Sequence, residues 1–265
     1  MRIDRTSGPN TIASRSTVSI ALTEPETQAL LMQVPEAYGT QVNDVLLTAL
    51  LQAFAEWTGS PAAVIDLEGH GREELFDDVD LSRTVGWFTT LFPVRLELPS
   101  NEGPGEALKS VKEQLRAIPS RGLGYGLLRY MREQSDIAAL SGAPHAAEVS
   151  FNYLGQFDQT LPGSAPFRFA ADSSGREQSG RAARRRLLDV VGMIIDKRLR
   201  VSIQFSENLH RRETMQGLAD RFAVSLRGLI EHCLSPESGG ASPSDFPLAD
   251  LDQATLDRLL QGQQR

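Results

Sequence analysis

A carboxylate lies at the end of a short apolar run, in the string EGHGRE at positions 68–73. The run before it predicts a buried strand, so Glu68 is expected to lie partly out of water, where its pKa rises toward that of a useful base. The glycines beside it would let a substrate approach the backbone closely. Glu68 is therefore a candidate for proton transfer. The alternative is an ordinary turn in which Glu68 forms an ion pair with Arg72.

Three further clusters of chemically useful residues lie at predicted loops or strands. They are DLSRTVGWFT at 80–89, PSRGLGYG at 119–126 and FNYLGQF at 151–157. Each has a plain structural interpretation when taken alone. Trp87 could be a core aromatic, the glycine-rich string a turn, and Tyr153 a buried phenol with a hydrogen-bond partner.

The elements that must position these clusters follow from hydrophobic spacing. Thr23 and Glu26 form a capping-box pattern that predicts the start of a helix. Further helices are expected over 42–57, 108–118, 127–132 and 215–233, and strands over 18–22, 63–68, 94–98, 147–154, 187–195 and 199–206. The last two strands predict an antiparallel hairpin. Strands and helices in alternation are typical of an α/β fold.

Composition narrows the possible functions. The 265 residues are 40% hydrophobic and 23% charged, which is typical of a globular protein. A net charge of −7 argues against nucleic-acid binding. The chain shows neither a secretory signal nor an apolar run long enough for a bilayer, so we expect a cytoplasmic protein without a membrane partner. The single cysteine, Cys233, excludes a disulfide within the chain, and the scattered histidines argue against a zinc site.

The four clusters occur in a specific order, EGHGRE, DLSRTVGWFT, SRGLGYG and FNYLGQFD. This run resembles the signature strings of epimerization domains in nonribosomal peptide synthetases, which belong to the condensation-domain superfamily. The resemblance covers about 14–234 and implies a chloramphenicol-acetyltransferase-like α/β lobe, with a mixed sheet packed against helices. Residues 1–234 would form the C-terminal lobe of such a domain, and 235–265 a linker and a short C-terminal segment.

The resemblance also implies a reaction, the inversion of an α-carbon held as a thioester on the 4′-phosphopantetheine arm of a peptidyl carrier domain. Glu68 and Tyr153 would then be catalytic. Asn152 is expected on the opposite sheet face from Tyr153, because side chains alternate along a strand, and we favour Tyr153 of the two. His70, Arg72 and Trp87 would line the substrate channel with Asn152. The substrate arrives on its carrier arm, so we expect neither a directly bound cofactor nor a metal.

Family members carry an H-H-x-x-x-D-G motif in an N-terminal lobe, and this sequence has no adjacent histidine pair. We therefore expect a missing N-terminal lobe as a partner, with the active site between the two lobes. Two alternatives remain: a condensation-type acyltransferase that forms amide bonds, and a non-catalytic lobe that docks carriers. The long connection 155–186 is expected to cross to the other lobe, and its arginines to contact a carrier domain or the phosphate of its arm.

Overall fold

The structure is a computed structural model that describes residues 1–73, 76–100, 103–131, 147–156, 172, 175, 178–249 and 251–263. The predicted crossover connection therefore lies largely outside the described residues. Of this connection the structure describes 155–156, 172, 175 and 178–186.

Six strands form one mixed sheet in the spatial order β1-β6-β5-β4-β2-β3. Their bounds are β1 Arg15–Ala21, β2 Ala62–Gly69, β3 Thr90–Glu97, β4 Val149–Gln156, β5 Leu188–Ile195 and β6 Arg198–Ser206. The β4 strand runs parallel to both of its neighbours, β2 and β5, whereas every other neighbouring pair is antiparallel. The predicted mixed α/β sheet is therefore confirmed. The parallel neighbours β2 and β4 carry the residues of the candidate site.

Seven helices accompany the sheet within the described residues. Their bounds are α1 Glu24–Met32, α2 Val34–Tyr38, α3 Val42–Thr58, α4 Pro104–Arg116, α5 Gly124–Tyr130, α6 Arg212–Leu234 and α7 Gln253–Gln263. The predicted capping box is present, since Thr23 accepts from the backbone N–H of Glu26 and the Glu26 carboxylate accepts from that of Thr23. Helix α3 ends at Gly59, whose left-handed backbone (φ +79°) is the conformation that glycine tolerates best.

One face of the sheet is apolar and covered by helices. Alternate strand residues such as Leu67, Phe151 and Val190 are buried there, in a core that they share with α3 and α6. The opposite face carries Asp66, Glu68, Ser150, Asn152 and Asp189, and we call it the polar face.

The predicted hairpin is present as β5 and β6. Its two turn residues, Asp196 and Lys197, have φ of 52° and 59°. Two consecutive left-handed residues are the signature of the type I′ turn, whose twist matches that of antiparallel strands. The hairpin fixes the register of β5, and with it the position of Asp189 on the polar face.

Residues 235–249, here called the C-terminal segment, pack back onto the lobe. The Lys112 ammonium, which is almost fully buried, donates to Asp245 at 2.6 Å and to the Tyr38 carbonyl at 2.8 Å. The Ser244 hydroxyl donates to Glu113 at 2.6 Å. Burial opposes ionisation of Asp245, but hydrogen bonds from Lys112 and Ser242 outweigh it and hold the pKa of that carboxyl below its ordinary value. The predicted domain boundary at 234 stays a prediction.

Asp245→Asn is expected to lower the free energy of unfolding by about 2 kcal/mol, because the buried Lys112 loses its charged partner. The pKa of Asp245 is depressed in the folded state, so this contribution is present at neutral pH and is lost only below about pH 4. Urea denaturation at pH 7 measures the loss. Glu237→Gln, a change at an exposed carboxylate of the same segment, should leave stability unchanged. Equal stability of the two variants would contradict the anchoring role.

Candidate active site

Three of the sequence clusters meet at the end of β2. The turn at 70–73 lies against the loop at 76–89, and the contact requires glycine at position 71. Gly71 has φ +68°, and a Cβ atom there would lie 1.6 Å from the Phe88 carbonyl oxygen. Gly69 is less tightly enclosed, since its Cβ would lie 2.7 Å from Thr90 Oγ1 and 3.9 Å from the Arg121 carbonyl. The glycines of EGHGRE therefore allow close backbone packing of the site.

Arg72 holds the 76–89 loop in place. Its guanidinium donates to the Leu81 carbonyl at 2.7 Å and lies 4.3 Å from the centroid of the Phe88 ring. Within the described residues, Arg72 forms no ion pair with Glu68. The alternative interpretation, a turn held by an ion pair between these two side chains, is therefore wrong.

Glu68 lies beside Asn152 on the polar face. The parallel register pairs Leu67 with Phe151, so the next residues of β2 and β4 are neighbours. The Asn152 amide donates to Glu68 Oε2 at 2.6 Å, a short bond of the charge-assisted kind. Burial raises the pKa of Glu68, the hydrogen bond from Asn152 opposes that rise, and the negative charge of Asp189 adds to it. The net effect is a pKa above the ordinary value of a glutamate, although the side chain as a whole is exposed.

Tyr153 lies on the other face of β4. Its ring packs against the helix-covered core and beside Gly192, where a Cβ atom would lie 3.5 Å from the ring. Burial raises the pKa of this phenol. The expected alternation of Asn152 and Tyr153 is thus present, but the residue in hydrogen-bond contact with Glu68 is Asn152. The catalytic role of Tyr153 stays a prediction.

A pocket of about 600 Å³ opens at the ends of β2 and β4 and extends toward the start of α3 and the end of α4. Apolar side chains such as Leu47, Phe92 and Leu115 form part of its lining. Five of the six predicted site residues line it: Glu68, His70, Trp87, Asn152 and Tyr153. Arg72 is absent from the lining because its side chain is directed to Leu81 and Phe88. Polar and charged side chains make up about half of the lining, so this concave site could bind a small molecule that has both apolar and polar groups.

The other carboxylates of the pocket are paired with cations. Asp44, almost fully buried, accepts both arms of the Arg116 guanidinium at 3.1 and 2.7 Å. Glu73 lies 3.3 Å from His70 Nε2 and 3.5 Å from the Arg121 guanidinium. Glu68 is the pocket carboxylate whose partner is a neutral amide.

Trp87 and His70 lie at the mouth of the pocket. Trp87 is 91% exposed, so the interpretation of this residue as a core aromatic is wrong. The His70 ring is also largely exposed, and its Nδ1 accepts from the Arg72 backbone N–H at 3.0 Å. Both are placed to contact a molecule that enters from solvent.

Sequence reasoning missed the pocket pair Asp44–Arg116 and the polar-face residue Asp189. Asp44 is the third residue of α3, where its carboxylate accepts from the backbone N–H of Gln41, and Asp189 interrupts the β-rich run LDVVGMII. The capping-box spacing of Gln41 and Asp44 could have indicated the first, and a lone acidic residue inside an apolar run could have indicated the second, since such a charge requires a partner. Within the part of the chain that the structure describes, no three metal-binding side chains cluster, and no helix is long and apolar enough to cross a membrane.

Comparison with known proteins agrees with this architecture. The family model described as "Condensation domain" matches residues 4–251. The chain belongs to the condensation-domain family. It is 47% identical to a protein of the linear gramicidin synthase of Brevibacillus parabrevis, over 99% of this chain and 3% of that protein. It is 40% identical to surfactin synthase subunit 1 of Bacillus subtilis (strain 168), over 97% of this chain and 7% of that protein.

Among solved structures, the chain is similar to the epimerization domain from the third module of tyrocidine synthetase B. The two are 38% identical with a TM-score of 0.79, over 88% of this chain and 51% of that one. The chain also shares its fold with the first condensation domain of the calcium-dependent antibiotic synthetase, at 17% identity and a TM-score of 0.54, over 88% of this chain and 49% of that one. This condensation-family chain thus spans about half of the domain structures that it matches, and a small part of the synthases.

Gly71→Ala is expected to disrupt the site more than Gly59→Ala. Both glycines have positive φ, so each substitution carries a backbone cost of about 1–2 kcal/mol. Gly59 has no neighbouring atom within 4 Å, whereas the new methyl group at position 71 would collide with Phe88. We expect Gly71→Ala to lose at least about 2 kcal/mol more in urea denaturation, or to expose the 76–89 loop to limited proteolysis. Equal losses without new cleavage would show that the contact is unimportant.

Proposed function

We propose that this chain supplies one half of the active site of an epimerization domain of nonribosomal peptide synthesis. The reaction inverts the α-carbon of an aminoacyl or peptidyl group, held as a thioester on the 4′-phosphopantetheine arm of a carrier domain. The observation that carries the proposal is the Glu68 carboxylate, which accepts a hydrogen bond from Asn152, has a raised pKa and lines a pocket large enough for a small molecule.

The chemistry requires a base with these properties. The α-proton lies beside a thioester carbonyl, which takes up negative charge when the proton leaves. A base is most effective when its pKa lies near the working pH, and burial moves the pKa of Glu68 in that direction. The enolate oxygen requires hydrogen-bond donors.

Two comparisons favour epimerization over amide-bond formation. The chain has 38% identity and a TM-score of 0.79 to an epimerization domain, against 17% and 0.54 to a condensation domain. The GWFT and FNYLG strings resemble the epimerization signature, and the first of these contacts the turn that follows Glu68.

Inversion also requires a proton on the face of the carbon opposite to Glu68. Among the described residues of the pocket, Glu68 is the one carboxylate without an ion-pair partner, and the histidine at the mouth is paired with Glu73. The second acid–base group would come from the N-terminal half, whose H-H-x-x-x-D-G motif the family resemblance implies. On this proposal the chain is inactive alone.

The neighbouring residues have distinct roles in this proposal. Asn152 orients Glu68 and favours its charged form. Tyr153, across the strand end, is a candidate donor to the enolate. Trp87 and His70 line the mouth through which the arm enters, and Arg72 acts at a distance by holding the 76–89 loop.

Glu68→Gln is expected to reduce α-proton exchange of an aminoacyl thioester on a carrier domain by about 10²–10⁴-fold. Deuterium uptake at the α-carbon and D-residue formation are measured with the chain alone and with an N-terminal half supplied in trans. The glutamine keeps the Asn152 contact in reach, so urea denaturation should show an intact lobe. Glu36→Gln makes the same chemical change at an exposed helix residue and should leave the exchange rate unchanged.

Several results would contradict this proposal. Inversion by the chain alone would show that the second group is not missing. Dipeptide formation from two loaded carriers, without D-residue formation, would assign the chain to the acyltransferases. If the chain together with the N-terminal half binds the carrier domain but catalyses no α-proton exchange, only a docking role would remain.

Asn152→Ala is expected to move the acid limb of the pH–rate profile to higher pH, by about 1 unit. The reason is that a hydrogen bond which favours the charged form of Glu68 is lost, so the pKa rises further and activity begins at higher pH. Tyr153→Phe removes a hydroxyl from the other face of β4 and should leave the acid limb in place. An unshifted limb in Asn152→Ala would exclude the role assigned to Asn152.

A further inference from the structure

A second cavity lies beside the pocket that contains Glu68. Its volume is about 680 Å³, which is within the range of small-molecule sites. Thr89 lines both cavities. Asp66, which lines the second cavity, precedes Glu68 by two residues on β2, so both belong to the polar face. A ligand that reacts beside Glu68 therefore has a further binding space next to it.

The glycine-rich string at 119–126 builds one wall of the second cavity. Its residues Ser120, Arg121 and Gly122 have φ of 45°, 49° and 80°, which are three consecutive left-handed conformations. A Cβ atom at position 122 would lie 2.3 Å from the Phe92 ring, so glycine is required where the turn packs on β3. The turn leads into α5, which lines the cavity. A string without a part in proton transfer thus shapes the space beside the candidate base.

The lining combines apolar and aromatic side chains with hydrogen-bond donors. Arg129 lies near two tyrosines: its guanidinium donates to the Tyr125 hydroxyl at 2.7 Å, and it lies 5.9 Å and 5.7 Å from the ring centroids of Tyr125 and Tyr130. Large parts of Leu127 and Tyr130 face solvent, with exposed fractions of 58% and 77%. The leucines and tyrosines of the lining are Leu91, Leu123, Leu127, Tyr125 and Tyr130.

The arginines before β5 differ in how they are engaged. Arg185 lines the cavity, is exposed and has no ion-pair partner among the described residues. Arg186 also lines the cavity but is paired with Asp66. The Arg184 side chain is 3% exposed and is paired with a carboxylate of β5. The expectation that the arginines of the 155–186 connection contact a carrier domain therefore does not fit Arg184.

This lining suits a peptide better than a bare anion. Leucine side chains contribute nothing to the binding of a phosphate, and the charge of Arg186 is already compensated by Asp66. A peptide presents carbonyl oxygens, which accept from guanidinium and phenol groups, together with apolar side chains, which pack on leucine and tyrosine. Both kinds of group are present in the cavity.

We propose that the second cavity binds the peptide chain attached to the α-nitrogen of the reacting residue, so that the lobe favours peptidyl over aminoacyl groups. The inference rests on the proposed function for the position of the reacting residue beside Glu68. From that position the thioester side leads to the mouth at Trp87 and His70. The nitrogen side leads past Thr89 into the second cavity.

Two unreactive probes test the inference with the full chain alone, because the residues of the cavity are its own. Both are amide analogues of an acyl-pantetheine thioester: N-acetyl-alanyl-pantetheine and N-acetyl-leucyl-leucyl-alanyl-pantetheine. They carry the same charge and differ by the two leucines that would enter the cavity. Isothermal titration calorimetry is expected to show about tenfold tighter binding of the longer probe. Equal affinities, or no binding of either probe, would overturn the inference.

Gly126→Phe is expected to abolish the preference for the longer probe. Gly126 lines the cavity, and a Cβ atom there would meet no atom within 4 Å, so the ring has room to enter. Gly124→Phe makes the same change on the same helix, at a glycine that is equally open but does not belong to the described lining. This control should keep the preference. Loss of the preference in both variants, or in neither, would contradict the proposed position of the peptide.

Leu127→Ala provides a second test in case the ring at position 126 disturbs α5. Leu127 lines the cavity, whereas its neighbour Leu128 does not belong to the described lining. The two leucines are 58% and 48% exposed, so neither substitution removes a core residue. We expect Leu127→Ala to weaken binding of the longer probe by about threefold or more, and Leu128→Ala to leave it unchanged. Equal effects of the two substitutions would count against the inference.

The phosphate of the carrier arm is the competing ligand, and 4′-phosphopantetheine without an acyl group is its probe. Binding of this probe that is weakened by Gly126→Phe, together with equal affinities of the two acyl probes, would assign the cavity to an anion and overturn the peptide site. Binding that is indifferent to Gly126→Phe supports the peptide site, provided that the longer acyl probe is weakened.

The α-proton exchange assay in the complemented protein separates this inference from the proposed function. Tighter binding of the longer probe without any exchange would retain the peptide site and contradict the proposed reaction. Exchange at equal efficiency in the two corresponding thioesters, with equal probe affinities, would retain epimerization and overturn the peptide site. More efficient exchange in the longer thioester, with the preference lost in Gly126→Phe, supports both.

Discussion

The hydrogen bond from Asn152 to Glu68 depends on β2 and β4 running parallel in one register. A shift of one residue would turn one of the two side chains to the helix-covered face and separate the pair. That register is fixed on both sides of β4, by the core residues of β2 and by the β5–β6 hairpin with its two left-handed turn residues. The position of one carboxylate is thus set by the central strands of the sheet rather than by a flexible loop.

The charge of Glu68 imposes a second condition, which concerns its neighbours. The Glu68 side chain is exposed, so water screens part of its interaction with each nearby charge. The ion pairs of Asp44, Asp66, Glu73 and Asp189 limit these effects. They also explain why Arg184 and Arg186, just before β5, face the charges of the polar face, whereas Arg181 and Arg185 are exposed.

The elements with strong local signals were predictable from the sequence. The capping box of α1, the apolar face of α3 ending at Gly59, and the β5–β6 hairpin all follow from spacing and turn residues alone. Glu68 was also predictable, since its position at the end of an apolar run is local information. The choice between Asn152 and Tyr153 was not, because alternation separates the two residues but only the register of β2 against β4 shows which one meets Glu68. Asp189 is distant from Glu68 in sequence, and only the sheet order places the two on one face.

A rigid strand end also limits what this lobe can do. Glu68 is held by its backbone position on β2 and by the hydrogen bond from Asn152, so the proposed reaction assigns it to one face of the α-carbon. Under the proposed reaction, the proton on the second face must come from a group that this lobe does not place there. On that proposal, inversion is a task for two lobes, and the open pocket with the exposed Trp87 and His70 lies on the side where substrate and second lobe would meet.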